Sequence, residues 1–412
     1  MKSFGTNVQG FLKDVKGVDR IVKERTDKWE KASAVPNEEN KFDYVRAIAD
    51  EIHPLPMQCK ITDIRDASKT AKTFRFAPLD GKKLPPFQSG QYANFRFQIG
   101  ESNLTRPYSI SSAPYEARTE DPFFEITVRR NRPYFAPDWM FENLKVGDTV
   151  ECCLPFSAFY YEPLRDSKNL VALAGGSGIA PFHSLAKEIA YGKLKDSGVK
   201  LTILYGSVKS DDIILFNELD AIDKDCDNVK VVHILSDDPD WKGEKGFLNK
   251  EMIEKYTMED DDQGRPCTYM FCGPYPMWTF CKKALEEMGV PERRFRCDVV
   301  NNPKDVTQIP GYPVGKETET YKVTVVRGID ETVIDALASE PVVVALEKAA
   351  IKVDTHCRNG ECGFCRTQLL SGDIFVSPIN DGRRAMDKEL GWFHVCSAWP
   401  LSDLKIKIPI ME

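Results

Sequence analysis

The stretch "THCRNGECGFCRTQLLSGD", residues 355–373, places Cys357, Cys362 and Cys365 within nine positions, and Cys396 follows in "WFHVCSAW" with 30 residues between. A loop of this kind has to gather three thiol groups around one centre while its backbone N–H groups turn inward. Gly360 and Gly363 supply the positive φ values and close approach that such wrapping demands. The preceding "PVVVALEKAAIKVDTH", residues 341–356, offers an apolar strand-or-helix segment to pack beneath the loop.

The spacing Cys-x4-Cys-x2-Cys-x30-Cys is that of a plant-type two-iron, two-sulfur cluster. Structural zinc sites usually show two short cysteine pairs. Three clustered ligands and one remote one fit a 2Fe-2S centre held by Cys357, Cys362, Cys365 and Cys396 better than zinc or buried thiols. Such a module carries single electrons, so the other 300 residues must supply them.

The whole chain has 412 residues, 42% apolar and 29% charged, with a formal net charge of −7. This length calls for two to four domains. The acidic balance, with no basic stripe, argues against nucleic acid. No apolar run reaches 18 residues, so no transmembrane segment is expected. The N-terminal "MKSFGTNVQGFLKDVKGVDR" lacks the apolar core of a secretory signal. The twelve cysteines should then stay reduced, and the expected location is cytoplasmic.

Residues 1–54 read as a helical N-terminal extension, with Val8, Phe11, Leu12 and Val15 at helical spacing and Pro54 and Pro56 breaking the pattern. Residues 55–163 carry short alternating segments such as "AKTFRFA", "QYANFRFQI" and "FFEITVRR", which predict an antiparallel barrel or sandwich. Residues 164–301 alternate strands with helices, the pattern of a doubly wound parallel α/β sheet. In the last of these helices Met277, Phe280, Cys281, Ala284, Leu285 and Met288 fall on one face. Residues 302–319, rich in Pro and Gly, read as a linker, and residues 320–412 as a small α+β module. The fold class is therefore multidomain, β followed by α/β and α+β.

Three motifs carry chemistry in the first two domains. In "TRPYSISSAP" an arginine, a flat aromatic and a hydroxyl lie close together at Arg106, Pro107, Tyr108 and Ser109. They would suit a flavin: a guanidinium for phosphate, a ring to lie against the isoalloxazine, and a hydroxyl near its N5 edge. In "LVALAGGSGIAPFHS" a strand runs into Gly176, Ser177 and Gly178 and then a helix with Pro181 in its first turn. Glycines there let N–H groups approach a pyrophosphate at the positive end of the helix. In "YMFCGPYPM" Cys272, Gly273 and Pro274 end another strand, where ligands of such sheets bind.

The order of these motifs, followed by the cysteine loop, resembles the ferredoxin–NADP reductase superfamily over roughly residues 57–412, and within it the phthalate dioxygenase reductase type with a C-terminal ferredoxin. The resemblance implies an antiparallel FAD-binding β-barrel, a nucleotide-binding domain and a β-grasp-like ferredoxin domain. It implies that Arg106, Pro107, Tyr108, Ser109 and Val128 contact the flavin. Gly176, Ser177, Gly178 and Pro181 would contact the nicotinamide nucleotide, with Cys272, Gly273 and Pro274 beside the nicotinamide. Ser109 and Cys272 would flank the hydride transfer.

The sequence departs from the family in two places. Pro137 in "VRRNRPYFAPDWMFENL" stands where a phosphate-binding serine is usual, and Ser157 in "LPFSAFYY" replaces a glycine. Arg129, Arg130 or Arg132 could compensate as anion ligands; FAD is favoured, with FMN the alternative. In "YGSVKSDD" Val208 occupies a place where relatives that grip a 2′-phosphate carry arginine, and Asp211 and Asp212 follow. This favours NADH, with Lys209 keeping NADPH open.

The implied function passes a hydride from NAD(P)H to flavin and single electrons through the cluster to a partner redox protein or oxygenase. The rival readings are current in reverse, reducing NAD+, and a redox-sensing subunit without turnover. His183, His356 and His394 are expected to be packing or surface groups. The N-terminal helices are expected to pack on their own protein.

Overall fold

This computed structural model describes residues 8–33, 44–52, 56–79, 81, 83–130, 135–300 and 302–409. The N-terminal part forms a unit of its own, residues 1–49. It holds helix α1 (Val8–Ser33) and the start of α2 (Tyr44–Ile52). On α1, Val18, Ile21, Val22 and Trp29 are exposed. Pro54 and Arg132 lie outside the described residues.

Strands β1 (Met57–Asp66), β2 (Ala71–Pro78), β3 (Tyr92–Ile99), β4 (Ser102–Ser109), β5 (Phe124–Arg129) and β6 (Thr149–Phe156) form one sheet in the order β4-β3-β6-β1-β2-β5. All recorded pairings are antiparallel. An Ile110↔Ile126 bridge joins the two edges and closes the barrel. Alternate residues point inward, so Phe74, Phe76, Phe95, Phe97 and Phe124 fill it. Phe76 lies 4.9 Å from Phe95 and 5.3 Å from Phe124, centroid to centroid. Each such fully buried ring contributes about 1.5–3 kcal/mol. Helix α3 (Phe135–Asn143) starts at the segment where Pro137 replaces the family's serine.

The second sheet, β7 (Asn169–Gly175), β8 (Lys200–Ser207), β9 (Val229–Leu235), β10 (Glu244–Lys245), β11 (Thr268–Pro274) and β12 (Phe295–Val300), is parallel with order β10-β9-β8-β7-β11-β12. Its central strand is apolar on both faces because helices cover both. Leu170, Ala172 and Ala174 pack with residues of α4 (Ala180–Tyr191) and α5 (Phe216–Asp225). Val171 and Leu173 pack on the opposite side with residues of α6 (Lys250–Lys255) and α7 (Tyr275–Glu287). The expected face of α7 is only partly buried. Cys281, Ala284 and Leu285 are in the core, but Phe280 is 66% exposed because it rims a cavity.

The third sheet has the order β14-β13-β19-β15-β17, with β16 and β18 as a separate pair. These are β13 (Thr320–Arg327), β14 (Asp330–Leu337), β15 (Arg366–Ser371), β16 (Ile374–Val376), β17 (Trp392–His394), β18 (Ala398–Pro400) and β19 (Leu404–Lys407). The apolar segment before the cysteine loop is a helix, α8 (Val342–Lys348), and α9 (Ala385–Glu389) precedes β17. In the segment read as a linker, Val306, Ile309 and Tyr312 are buried with Trp399. The Tyr312 hydroxyl also donates to the Ala338 carbonyl at 3.1 Å. Among the described residues, no helix is long and apolar enough to cross a membrane.

Candidate functional site

The turn after β7 separates two cavities. Both open at the carboxyl ends of the parallel strands, where the strand order reverses between β7 and β11, the usual ligand position of such sheets. The larger, about 490 Å³, has walls from all three modules. The barrel gives Arg106, Pro107, Tyr108, Ser109, Thr127 and Ser157. The parallel sheet and its turns give Ser177, Cys272 and Asp298, and the cysteine loop gives Cys357, Cys362 and Phe364. Its volume is within the ~300–1,000 Å³ of small-molecule sites, and a flat aromatic with two hydroxyls is a fit for a flavin ring.

The smaller cavity, about 300 Å³, is lined by Gly175, Gly176, Val208, Asp212, Pro274, Met277 and Phe280 among others. Gly176 has φ +54°, and a Cβ built there would meet only the Arg129 Nη1, at 3.0 Å. The turn thus opens a cradle a dinucleotide could occupy, reaching from this cavity past Ser177 into the larger one. Gly178 packs differently, with its α-carbon against the β11 backbone. Pro181 is buried in the first turn of α4. Gly273 stands against Gly175.

Val128 and Arg106, both expected on the flavin side, have engaged surroundings in the structure. The Val128 side chain is 1% exposed within the barrel core; its neighbour Thr127 faces the cavity, because successive strand residues face opposite ways. Arg106 is engaged by a carboxylate: its Nη1 and Nη2 donate to Glu347 of α8 at 2.9 and 3.3 Å. The supporting arginines are also paired. Arg129 donates to Asp212 at 2.7 Å, and Arg130 to Asp138 at 2.6 Å and to Glu142. Ser157 adopts φ +94°, a left-handed backbone that favours glycine, and its hydroxyl accepts from the Phe159 N–H at 3.0 Å.

Burial pushes the Tyr108 hydroxyl and the Cys272 thiol up, so both stay protonated. Asp298 is pushed up to about 6 by burial and by Cys357. Glu361, also on the cavity wall, is pushed up to about 7 by burial, Cys357 and Asp298. Neither carboxylate announces itself in the sequence, since each becomes notable only through neighbours distant in the chain.

The four thiols stand as contacting neighbours. Cys365 Sγ lies 3.3 Å from Cys396 Sγ, and Cys357 interacts with both Cys362 and Cys396. Among the described residues no group of three or more such ligands is set to hold a single ion. A sulfur-bridged cluster spreads its ligands over two metals, and an all-thiol donor set suits iron and sulfide. Backbone N–H groups of Asn359 and Cys362 point at Cys357 Sγ, both at 3.4 Å. Gly360 and Gly363 have φ +84° and +77°, as the spacing implied.

His183, His356 and His394 are engaged in packing and hydrogen bonds. His394 Nδ1 meets the Gly360 carbonyl at 2.5 Å and steadies the loop. His356 stacks on Phe364, centroids 3.6 Å apart, and meets Phe156 edge-on at 4.4 Å; burial lowers its pKa to about 4. His183 Nδ1 lies 2.8 Å from the Ser111 carbonyl and Nε2 3.0 Å from Glu218, joining barrel and parallel sheet.

A profile of the oxidoreductase NAD-binding domain matches residues 172–283, and one of the 2Fe-2S iron–sulfur cluster binding domain matches residues 325–400. The ferredoxin reductase component of a Mycobacterium tuberculosis 3-ketosteroid-9-alpha-monooxygenase is 26% identical over 375 residues, 87% of this chain and 97% of the relative. NADH-cytochrome b5 reductase 1 of Aspergillus terreus is 29% identical over 56% of this chain and 76% of its own length. Among solved structures, phthalate dioxygenase reductase superposes with a TM-score of 0.62 at 21% identity, covering 86% of this chain and 98% of that one. The chain is thus an oxidoreductase with an NAD-binding domain followed by a 2Fe-2S iron–sulfur cluster binding domain, built in the fold of phthalate dioxygenase reductase.

Proposed function

We propose that this chain is an NADH-dependent reductase that uses FAD and a 2Fe-2S cluster to deliver single electrons to a separate redox protein. The observation that carries this reading is the one cavity in which Tyr108 and Ser109, Ser177 and Cys272, and Cys357 and Cys362 all appear. When bound, the flavin takes up a two-electron hydride and releases electrons one at a time, which is chemistry the cofactor supplies and the protein aligns.

The chain's own groups do the aligning. Tyr108, kept neutral by burial, forms a flat wall for the ring, and the Ser109 hydroxyl orients the ring's reactive edge. The Cys272 thiol, fully buried and protonated, fills the far side of the nicotinamide and excludes water without bonding covalently. Gly176, Ser177 and Gly178 bring the main chain close to the pyrophosphate, and Asp212 beside Val208 favours NADH over a 2′-phosphate. Cys357, Cys362, Cys365 and Cys396 hold the cluster at the cavity wall.

By likeness to the monooxygenase component above and to the glycine betaine monooxygenase reductase subunit of Pseudomonas aeruginosa, the recipient is an oxygenase or a similar redox protein. We place the protein in the cytoplasm, where a reducing milieu keeps ligand thiols available.

Anaerobic titration of the purified protein with NADH tests the reading. Flavin and iron–sulfur absorbance should bleach together at stoichiometric NADH, and acid extraction should release FAD. No bleaching at that ratio would sink it.

A further inference from the structure

We infer that Glu347 is a positioning residue: its carboxylate ties the flavin-facing strand β4 to the cysteine loop and so fixes the reach between flavin and cluster. The inference rests on the electron path proposed above. Glu347 lies in the last turn of α8, and both its oxygens accept from two guanidinium forks. Arg106 donates through Nη1 at 2.9 Å and Nη2 at 3.3 Å. Arg358 donates through Nη1 and, at 3.3 Å, through Nη2. The Arg106, Glu347 and Arg358 side chains are only 20%, 8% and 13% exposed.

Each arm of this bridge reaches a part of the site. Arg106 immediately precedes Pro107, Tyr108 and Ser109 on β4. Arg358 immediately follows Cys357 and holds φ +54°, an unfavourable conformation for a residue with a Cβ. That left-handed turn aims the Asn359 N–H at Cys357 Sγ. Fastening the Arg358 side chain therefore stabilises the loop shape that wraps the thiols. Without the carboxylate two buried guanidinium groups would face each other unscreened, and the same contact that docks the modules would repel. Two forks on one carboxylate also occupy both Nη groups of Arg106 toward Glu347, so this arginine serves module docking as well as the flavin side.

The test uses the full holoprotein with Glu347→Gln, and with Arg358→Lys as a second variant that keeps the charge but loses the fork. Rapid mixing with NADH should show flavin bleaching in Glu347→Gln within about twofold of wild type, while cluster bleaching slows about tenfold or more. Independently of turnover, hydrogen exchange should rise in Ser102–Ser109 and Val342–Lys348. Wild-type cluster bleaching in either folded variant overturns the inference. If Glu347→Gln does not fold, Arg358→Lys decides alone. If wild-type protein itself passes no electrons from NADH to the cluster, the functional reading fails, whereas unchanged exchange in the variants refutes the bridge.

Discussion

Gly178 lies against the main chain of Cys272: a Cβ at Gly178 would fall 2.1 Å from the Cys272 carbonyl oxygen and 2.8 Å from the Gly273 nitrogen. Backbone cannot yield as a flexible side chain would, so the glycine turn and the end of β11 form one rigid seat for the nucleotide. Gly178→Ala should cost about 1–3 kcal/mol by overpacking and raise the KM for NADH. Thermal unfolding and steady-state kinetics check both, and an unaltered melting point with an unaltered KM would refute the tight seat.

Nucleotide choice should turn on the rim of the smaller cavity. Val208 is 53% exposed there, whereas Asp212 already accepts from Thr70 and Arg129 and cannot be altered without unpairing them. Val208→Arg should improve kcat/KM for NADPH about tenfold, some 1.4 kcal/mol, with little change for NADH. Comparing the two coenzymes in both proteins is the measurement.

Acid should loosen the seam between barrel and nucleotide sheet. Burial alone would raise the Glu218 carboxyl, but the His183 hydrogen bond and the charges of His183, Arg65 and Lys187 pull it down to about 2 from an ordinary 4.5. A carboxyl depressed on folding stabilises fully above its unfolded pKa and loses that contribution as pH falls through its folded one. Wild-type stability should therefore drop between pH 4.5 and 2. Glu218→Gln should be less stable at neutral pH and show a shallower drop over that window, as read by denaturant unfolding at several pH values.

The cysteine loop should not tolerate a side chain at Gly360. A Cβ would meet the Asn380 carbonyl oxygen at 2.4 Å and Ser397 Cβ at 2.8 Å, at a φ of +84°. Gly360→Ala should cost about 1–3 kcal/mol in local strain and lower iron and sulfide content per chain. A full complement of both would show that the loop relaxes freely.

How far the sequence spoke depended on whether the signal was local. The cysteine spacing, the two loop glycines and the alternation of β2 and β3 are readable because each acts within a few residues. The face that Thr127 and Val128 present is not, since it depends on strand register with distant partners. Glu347 meets Arg106 across 241 residues, so nothing near either residue announces the pair. Phe280 fits a helical apolar face by spacing, yet it lies on the rim of the cavity at the carboxyl ends of the strands and stays 66% exposed. The Pro-rich segment 302–319 reads as a linker by composition, while Trp399 lies far along the chain and gives its apolar residues a place to bury. Ser157 reads as a lost glycine and yet holds a backbone that favours glycine.

That three modules share the walls of the larger cavity has a consequence for any shortened form. A chain ending at residue 319 would keep the barrel and the nucleotide sheet but lose the side closed by Cys357, Cys362 and Phe364. Any cofactor held there would then stand open to solvent and dissolved dioxygen on that side, so the shortened protein should consume more dioxygen per NADH than the full chain. The ferredoxin module is insulation as much as wire.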